Sequence, residues 1–334
     1  MNERITLAHG AGGIQTSQLI GGLFEKYLGG PHFTKDDAAV LPSPQGQLAM
    51  STDGFIVSPA FFPGGNVGKL SICGTVNDLA CMGAKPLYLT CSFIIEEGFL
   101  YDDLERVVAA MAETVNRVGC EIVAGDTKVA GKGQADGVFI TTTGVGALTP
   151  GAAPAGSRAR PGDAVLVTGD VGRHGCTILL ARNSFGIDAD VTSDCAPLWA
   201  PVRDMLAVTK DIHVIRDATR GGVGTVLYEV AGESQVGIRL RRADVPVKDE
   251  VRGVTGMLGL DPLYLACEGC MVVICPQEKV PAVLEALRRH PETKDAAQIG
   301  TVTEEQKGRV VVETEVGGET LLSRPTGELL PRIC

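Results

Sequence analysis

Apolar positions along the chain repeat with two periods. Over 68–82, Leu70, Cys73, Val76, Leu79 and Ala80 fall three or four residues apart, the spacing that gathers them on one helical face. Over 103–118, Leu104, Val107, Val108, Met111, Val115 and Val118 repeat in the same way, and Gly119 supplies a stop. Thr16 to Leu28 is a third helix-like stretch. Short apolar runs at 47–52 (ending at Asp53), 87–95, 120–124 and 137–147 read as strands, with GDTK as the loop after the third. Residues 149–163, TPGAAPAGSRARPGD, are poor in large apolar groups and form the best domain boundary.

Beyond it the alternation resumes. AVLVTG is a strand, followed by the Gly-rich turn GDVGRHG at 169–175 and a helix. Residues 213–233 read as strand, turn and helix. A strand near 270–275, a helix over 280–290 and strands near 298–303 and 309–316 follow. The end, SRPTGELLPRIC, has two prolines and no period, the pattern of an extended, mobile tail. Three units are expected: 1–150, 151–320 and a tail over 321–334.

Composition narrows the function classes. Thirty basic and 40 acidic residues give a net charge of −10, which argues against nucleic acid or an anionic membrane as main partner. Aromatic residues are 4%, so Val, Leu, Ile and Ala must build the core. The most apolar stretch, 70–95, is broken by Asp78, Lys85 and Pro86, and the start MNERITLAHGAGG lacks the apolar run of a signal peptide. Ten cysteines without a framework suit a reducing compartment, so a cytoplasmic protein is expected. Glycine occurs 43 times, clustered at the ends of apolar runs, as tight turns and close backbone approach to a ligand require.

Two nucleotide motifs fail on inspection. PGGNVGKL has Pro63 for the first Gly of a P-loop and Leu70 for its Ser/Thr, leaving Lys69 as a helix-start residue. HGAGGIQ lacks the third Gly of a dinucleotide fingerprint. What remains is a set of aspartates in Gly-rich loops and at strand ends: Asp36, Asp37, Asp53, Asp78 and Asp126. Singly, Asp36, Asp37 and Asp53 read best as turn residues, while Asp78 sits mid-helix where Asp is a poor helix former. Together they could hold Mg-ATP, because Mg²⁺ takes one or two carboxylates plus phosphate oxygens.

RDATRGGVG places Asp217, Arg220, Gly221, Gly222 and Gly224 at a helix start, either an anion site or a Gly-rich cap with Asp217 and Thr219. His174, in GDVGRHG, is either a solvated turn residue or a phosphate or substrate contact. Lys128, in GDTKV, is either a surface lysine or a point charge for a phosphate or oxyanion. Glu268 interrupts the apolar run ACEGCMVV, so it is either at a bend facing solvent or catalytic. Cys267 and Cys270 form one C-x-x-C, two ligands short of a structural zinc site. Cys334 is the last residue: an incidental thiol, or the nucleophile of a swinging carrier arm.

These motifs carry a resemblance. LAHGAGG, STDGFIVSPAFFPGGNVGKLSICGTVNDLA, GDTKV, the HG turn, RDATRGGV, the Glu-Gly pair and the terminal PRIC together resemble the HypE family of nickel–iron hydrogenase maturation proteins. That family lies in the superfamily of aminoimidazole ribotide synthetase, selenophosphate synthetase and thiamine monophosphate kinase. The resemblance implies an α+β, PurM-like fold of two domains, the first pairing with a second copy into a dimer barrel, the second α/β. It implies that Cys334 receives a carbamoyl group from HypF, that ATP drives its dehydration to a thiocyanate, and that the cyano group passes to iron on a HypC–HypD complex. It places Mg-ATP against Asp37, Asp53, Asp78 and Asp126, with Asp217, Arg220, Gly221 and Gly222 contributing from the second domain. Glu268, Lys128 and His174 would act near the tail cysteine. Cys81, Cys267 and Cys270 depart from the family pattern. Two other readings stay open: a different ATP-using member of the superfamily, and a carrier that hydrolyses no ATP.

Overall fold

The computed structural model describes residues 3–34, 36–182, 185–314 and 316–323. The tail beyond Ser323, with Cys334, lies outside them.

The chain builds two sheets, one after the other. In the first half, α1 (Ile14–Leu19) and α2 (Glu25–Leu28) are joined by a π-helical turn, Ile20–Phe24, where Gly21 and Gly22 loosen the expected helix. Strand β1 (Leu48–Phe55), the small hairpin β2 (Phe61–Phe62) and β3 (Gly65–Asn66), and helix α3 (Val67–Cys81) follow. Then come β4 (Ala84–Glu96), α4 (Tyr101–Val118), β5 (Glu121–Ala130) and β6 (Val138–Leu148). β1, β6, β4 and β5 form a four-stranded sheet in that order, β4 and β5 parallel through the α4 crossover. Gly119 closes α4 in the left-handed conformation, as its position after the apolar repeat requires.

Helices α3 and α4 cover one face of this sheet. They cross so closely that a Cβ on Gly68 would lie 2.2 Å from the Val107 carbonyl oxygen. The other face is open: along β1, Leu48, Met50, Thr52 and Gly54 are exposed while Phe55 is buried. Ser51 and Asp53 therefore point toward α3, not solvent.

In the second half, β7 (Asp163–Val167), α5 (Arg173–Ala181), α6 (Trp199–Val208), β8 (Val214–Asp217), α7 (Gly222–Ser234) and β9 (Gly237–Arg241) come first. Then follow α8 (Asp249–Leu258), β10 (Met271–Pro276), α9 (Val280–Arg288), β11 (Ala297–Thr303), β12 (Val310–Glu313) and β13 (Glu319–Leu321). The seven-stranded sheet runs β13-β12-β9-β11-β7-β10-β8. Both faces of its centre are covered. Ala164, Leu166, Met271 and Val273 join the core shared with α6, α9 and the first half, while Val165, Val167, Val272 and Ile274 pack with α7. That double burial is why these strands read as unbroken apolar runs.

The structure departs from the sequence reading in three places. GDTK is not a loop: β5 continues through it, with Asp126 opposite Ser92 and Lys128 opposite Ile94 of β4. The segment is polar because it lies on an edge strand with one open face, where alternation need not be apolar. Likewise Asp53 lies inside β1 and does not end it. The apolar periods also do not predict the hairpin β2–β3, strands β9 and β13 or helices α6 and α8. β13 carries the second sheet through Leu321 and Leu322 is buried, so the expected tail does not begin at 321. α6 is buried on more than one side, which blurs its helical period.

Candidate active site

The polar centre lies where the two halves meet. Ser51 and Asp53 of β1 face α3. Ser51 Oγ donates to Asp78 Oδ2 at 2.5 Å, and a Cβ on Gly74, one turn before Asp78, would sit 3.9 Å from Asp53 Oδ2. Burial pushes the Asp78 carboxyl up to about 6, with Asp217 and Asp53 adding like-charge repulsion against the Ser51 hydrogen bond and Arg216. Burial also raises Asp53, and the like charge of Asp217 pushes the same way, against the Gly54 N–H and Arg220. Asp217 ends β8, is raised by burial, and is held by Thr219, Arg216 and Arg220. Thus RDATRGG from the second half faces Asp53 and Asp78 from the first.

Gly221 and Gly222 both have positive φ at the start of α7. A Cβ on Gly222 would lie 2.5 Å from the Leu263 carbonyl oxygen, so packing alone already requires glycine there.

The CEGC turn is stitched to the same motif. Cys267 N–H donates to Ala218 O, and Ala218 N–H to Cys270 O. Glu268 is neither at the surface nor facing solvent: it is 3% exposed, and its Oε1 has no hydrogen-bond partner. Burial drives its carboxyl well above the ordinary range, and Cys195, Asp194, Asp217 and Asp53 push the same way.

Other expected site residues lie elsewhere. Asp126 and Lys128 pair with each other at 2.7 Å on the open part of β5, and Lys128 holds Asp126 below its usual range. Asp36, Asp37 and Asp126 line a cavity of about 550 Å³ with Thr16, Phe24 and Phe93. Within one chain, then, the four aspartates expected to share Mg²⁺ fall into two groups, Asp53 with Asp78 and Asp37 with Asp126. Among the described residues no group of three or more His, Cys, Asp or Glu forms a ready metal cluster. His174 is not a solvated turn residue. It is fully buried on α5, its Nδ1 hydrogen-bonded with Ser193 Oγ at 2.8 Å and its ring edge-on to Phe62.

Three residues at the junction escaped the sequence reading: Asn77, Asp194 and Arg216. Asn77 had a signal, since a second poor helix former beside Asp78 in an otherwise apolar helix asks for a reason. Asp194 had none, lying in an irregular stretch before α6.

The chain matches the model of the AIR synthase related protein N-terminal domain over residues 35–148 and that of the C-terminal domain over 160–313. It is 46% identical to the carbamoyl dehydratase HypE of Azotobacter vinelandii over 334 residues, all of this chain and 98% of that one. The chain belongs to the HypE family. Its fold is accordingly the PurM-like one, and the family is one of enzymes, carbamoyl dehydratases. A crystal structure of the hydrogenase maturation protein HypE in complex with ATP superposes with a TM-score of 0.94 at 48% identity, covering 98% of this chain and 99% of that one. A HypE–HypF complex matches at 0.81 and 42% identity, over 92% and 99%. Among the described residues no helix is long and apolar enough to cross a membrane.

Proposed function

We propose that this chain uses ATP to dehydrate a carbamoyl group carried on Cys334, giving a thiocyanate that supplies the cyanide ligand of a nickel–iron hydrogenase. The observation that carries the reading is Glu268: a buried carboxyl with an unpartnered oxygen, set among Asp53 and Asp217 where the two halves meet. Such a group is costly to maintain for folding alone and is suited to taking protons in a dry site. The full-length likeness to carbamoyl dehydratases, and the ATP complex of a relative, support the substrate pair.

The balance is R–S–C(=O)NH₂ + ATP giving R–S–C≡N + ADP + phosphate. The carboxamide oxygen takes the γ-phosphoryl group, which converts a poor leaving group into phosphate. Glu268, ionised, removes one nitrogen proton, and the other leaves on the departing phosphate as the C–O bond breaks and the nitrile forms. Arg220 and the start of α7 offer positive charge to the phosphates. Lys128, which lies with Asp126 apart from Glu268 within one chain, is assigned to the charge on the leaving oxygen only across the proposed homodimer, and His174 to holding Ser193.

The donor set fits Mg²⁺. Asp53 and Asp78 are hard carboxylates that repel each other in a desolvated place, and one or two carboxylates with phosphate oxygens make a Mg²⁺ site. Bound there, Mg²⁺ would neutralise phosphate charge. Asp37 and Asp126, which line a separate cavity within one chain, are assigned to the same nucleotide only across the proposed homodimer. Residues 1–150 are proposed as the ATP-binding and dimerisation domain and the second domain as starting at 151 and running through β13 and the buried Leu322, with the tail after it. HypF as carbamoyl donor, HypC–HypD as cyanide acceptor, a homodimer and a cytoplasmic location complete the proposal. The homodimer is supported by the open face of the first sheet, where Met50 is 73% exposed.

Glu268→Gln tests the assignment. The variant should accept the carbamoyl group from HypF yet form no thiocyanate with ATP. Unchanged turnover would remove Glu268 from the chemistry.

A further inference from the structure

The Glu268–Gly269 backbone is held from both halves of the molecule. Asp194 accepts both of its N–H groups, Glu268 N at its Oδ1 (3.2 Å) and Gly269 N at its Oδ2 (3.0 Å). The Glu268 carbonyl accepts from Asn77 Nδ2 at 3.4 Å and from Ala196 N–H at 3.3 Å. Asn77 Nδ2 also donates to Ala196 O at 3.1 Å, and Asn77 Oδ1 accepts from Leu198 N–H at 2.8 Å. Turn and loop touch backbone to backbone, because a Cβ on Gly269 would lie 1.9 Å from the Asp194 carbonyl oxygen. Asn77 and Asp194 are both buried.

A buried carboxylate is a costly way to satisfy two amides, which any carbonyl oxygens could do. What this side chain adds is two hydrogen bonds accepted by one rigid planar group, which fix the orientation of the turn. Asn77 does the same from the other half, one residue before Asp78, so a single turn of α3 presents Asp78 to the site and grips the carbonyl of Glu268.

We infer that Asn77 and Asp194 are positioning residues for Glu268, clamping its peptide across the junction so that its carboxyl keeps one place relative to Asp53 and Asp217. The inference rests on Glu268 being the base. A base displaced by about 1 Å can lose about a hundred-fold in rate without any loss of substrate binding.

The test uses the full-length chain, carbamoylated by HypF, in three variants: Asp194→Asn, Asn77→Ala and Glu268→Gln. Single-turnover dehydration, the KM for ATP, the extent of carbamoylation and the thermal midpoint are measured for each. The clamp variants should carbamoylate fully and lose about a hundred-fold in the dehydration rate, while the KM for ATP moves by less than about threefold. Wild-type rates in both, with Glu268→Gln inactive, overturn the clamp and leave the base standing. A KM for ATP that worsens in step with the rate also overturns it, since that marks general damage to the junction. A wild-type rate in Glu268→Gln overturns base and clamp together. Asn77→Ser, which changes less volume, decides the matter if Asp194→Asn does not fold.

Discussion

At the residue scale, Asp78 shows how burial turns a helix residue into a site residue. Its carboxyl rises from an ordinary 3.8 to about 6 through burial and the repulsion of Asp217 and Asp53, a difference of at most about 3 kcal/mol at about 1.4 kcal/mol per pH unit. The sign follows from the raised value: the folded chain holds this proton more tightly than the unfolded one. Its contribution to stability is present below the ordinary carboxylate value and is lost as the pH rises through about 6. Asp78→Asn should therefore melt above the wild type at pH 8, with the gap closing toward pH 4, yet gain nothing from added Mg-ATP. Equal midpoints at both pH values would contradict the account. Glu268 makes a kinetic counterpart. A base held well above the ordinary range must be deprotonated, so the dehydration rate should climb with pH beyond the usual carboxylate region. A flat single-turnover profile from pH 5 to 9 would speak against Glu268.

Elements place these residues by close approach. Helix α3 reaches β1 and the second half only because it lies tight against α4 at Gly68 and presents Gly74 to the Phe55 ring, where a Cβ would be 2.6 Å away. Gly68→Ala forces the Val107 backbone aside and should cost about 1–3 kcal/mol in urea unfolding. A midpoint within error of the wild type would mean that the crossing is loose. Much of this level was readable beforehand. The period of Leu104 to Val118, with Gly119 at its end, gave α4 nearly to the residue. The alternation failed for GDTK because an edge strand with an open face has no apolar side to report. The strand, turn and helix read over 213–233 match β8, the RGG turn and α7. The reason Gly222 must be glycine, its contact with the Leu263 carbonyl, involves a partner 41 positions away and left no local mark.

At the scale of the whole molecule, the site exists only because the two halves dock. Asn77 bonds Ala196 and Glu268 across 119 and 191 positions, separations at which residue spacing says nothing. Residue spacing alone leaves Asp53, Asp78, Asp217 and Glu268 scattered; the family resemblance groups the aspartates around Mg-ATP, and the docked halves bring Glu268 to Asp53 and Asp217. The second group, Asp37 with Asp126 and Lys128, remains apart within the chain. The open face of the first sheet carries Leu48, Met50 and Ile94 at 52%, 73% and 42% exposure, apolar area that a second copy would cover. Met50→Lys with Ile94→Lys should halve the mass seen by analytical ultracentrifugation. A wild-type mass for the double variant would rule out this face as the dimer contact.

The central claim concerns Cys334, and the most direct measurement is the intact mass of the C-terminal peptide. The chain is carbamoylated by HypF with carbamoyl phosphate, then incubated with and without Mg-ATP. The account predicts that the peptide loses the mass of one water only when ATP is present, with the loss mapped to Cys334. A carbamoyl group that persists unchanged in Mg-ATP would contradict it and leave the tail as a carrier without this chemistry.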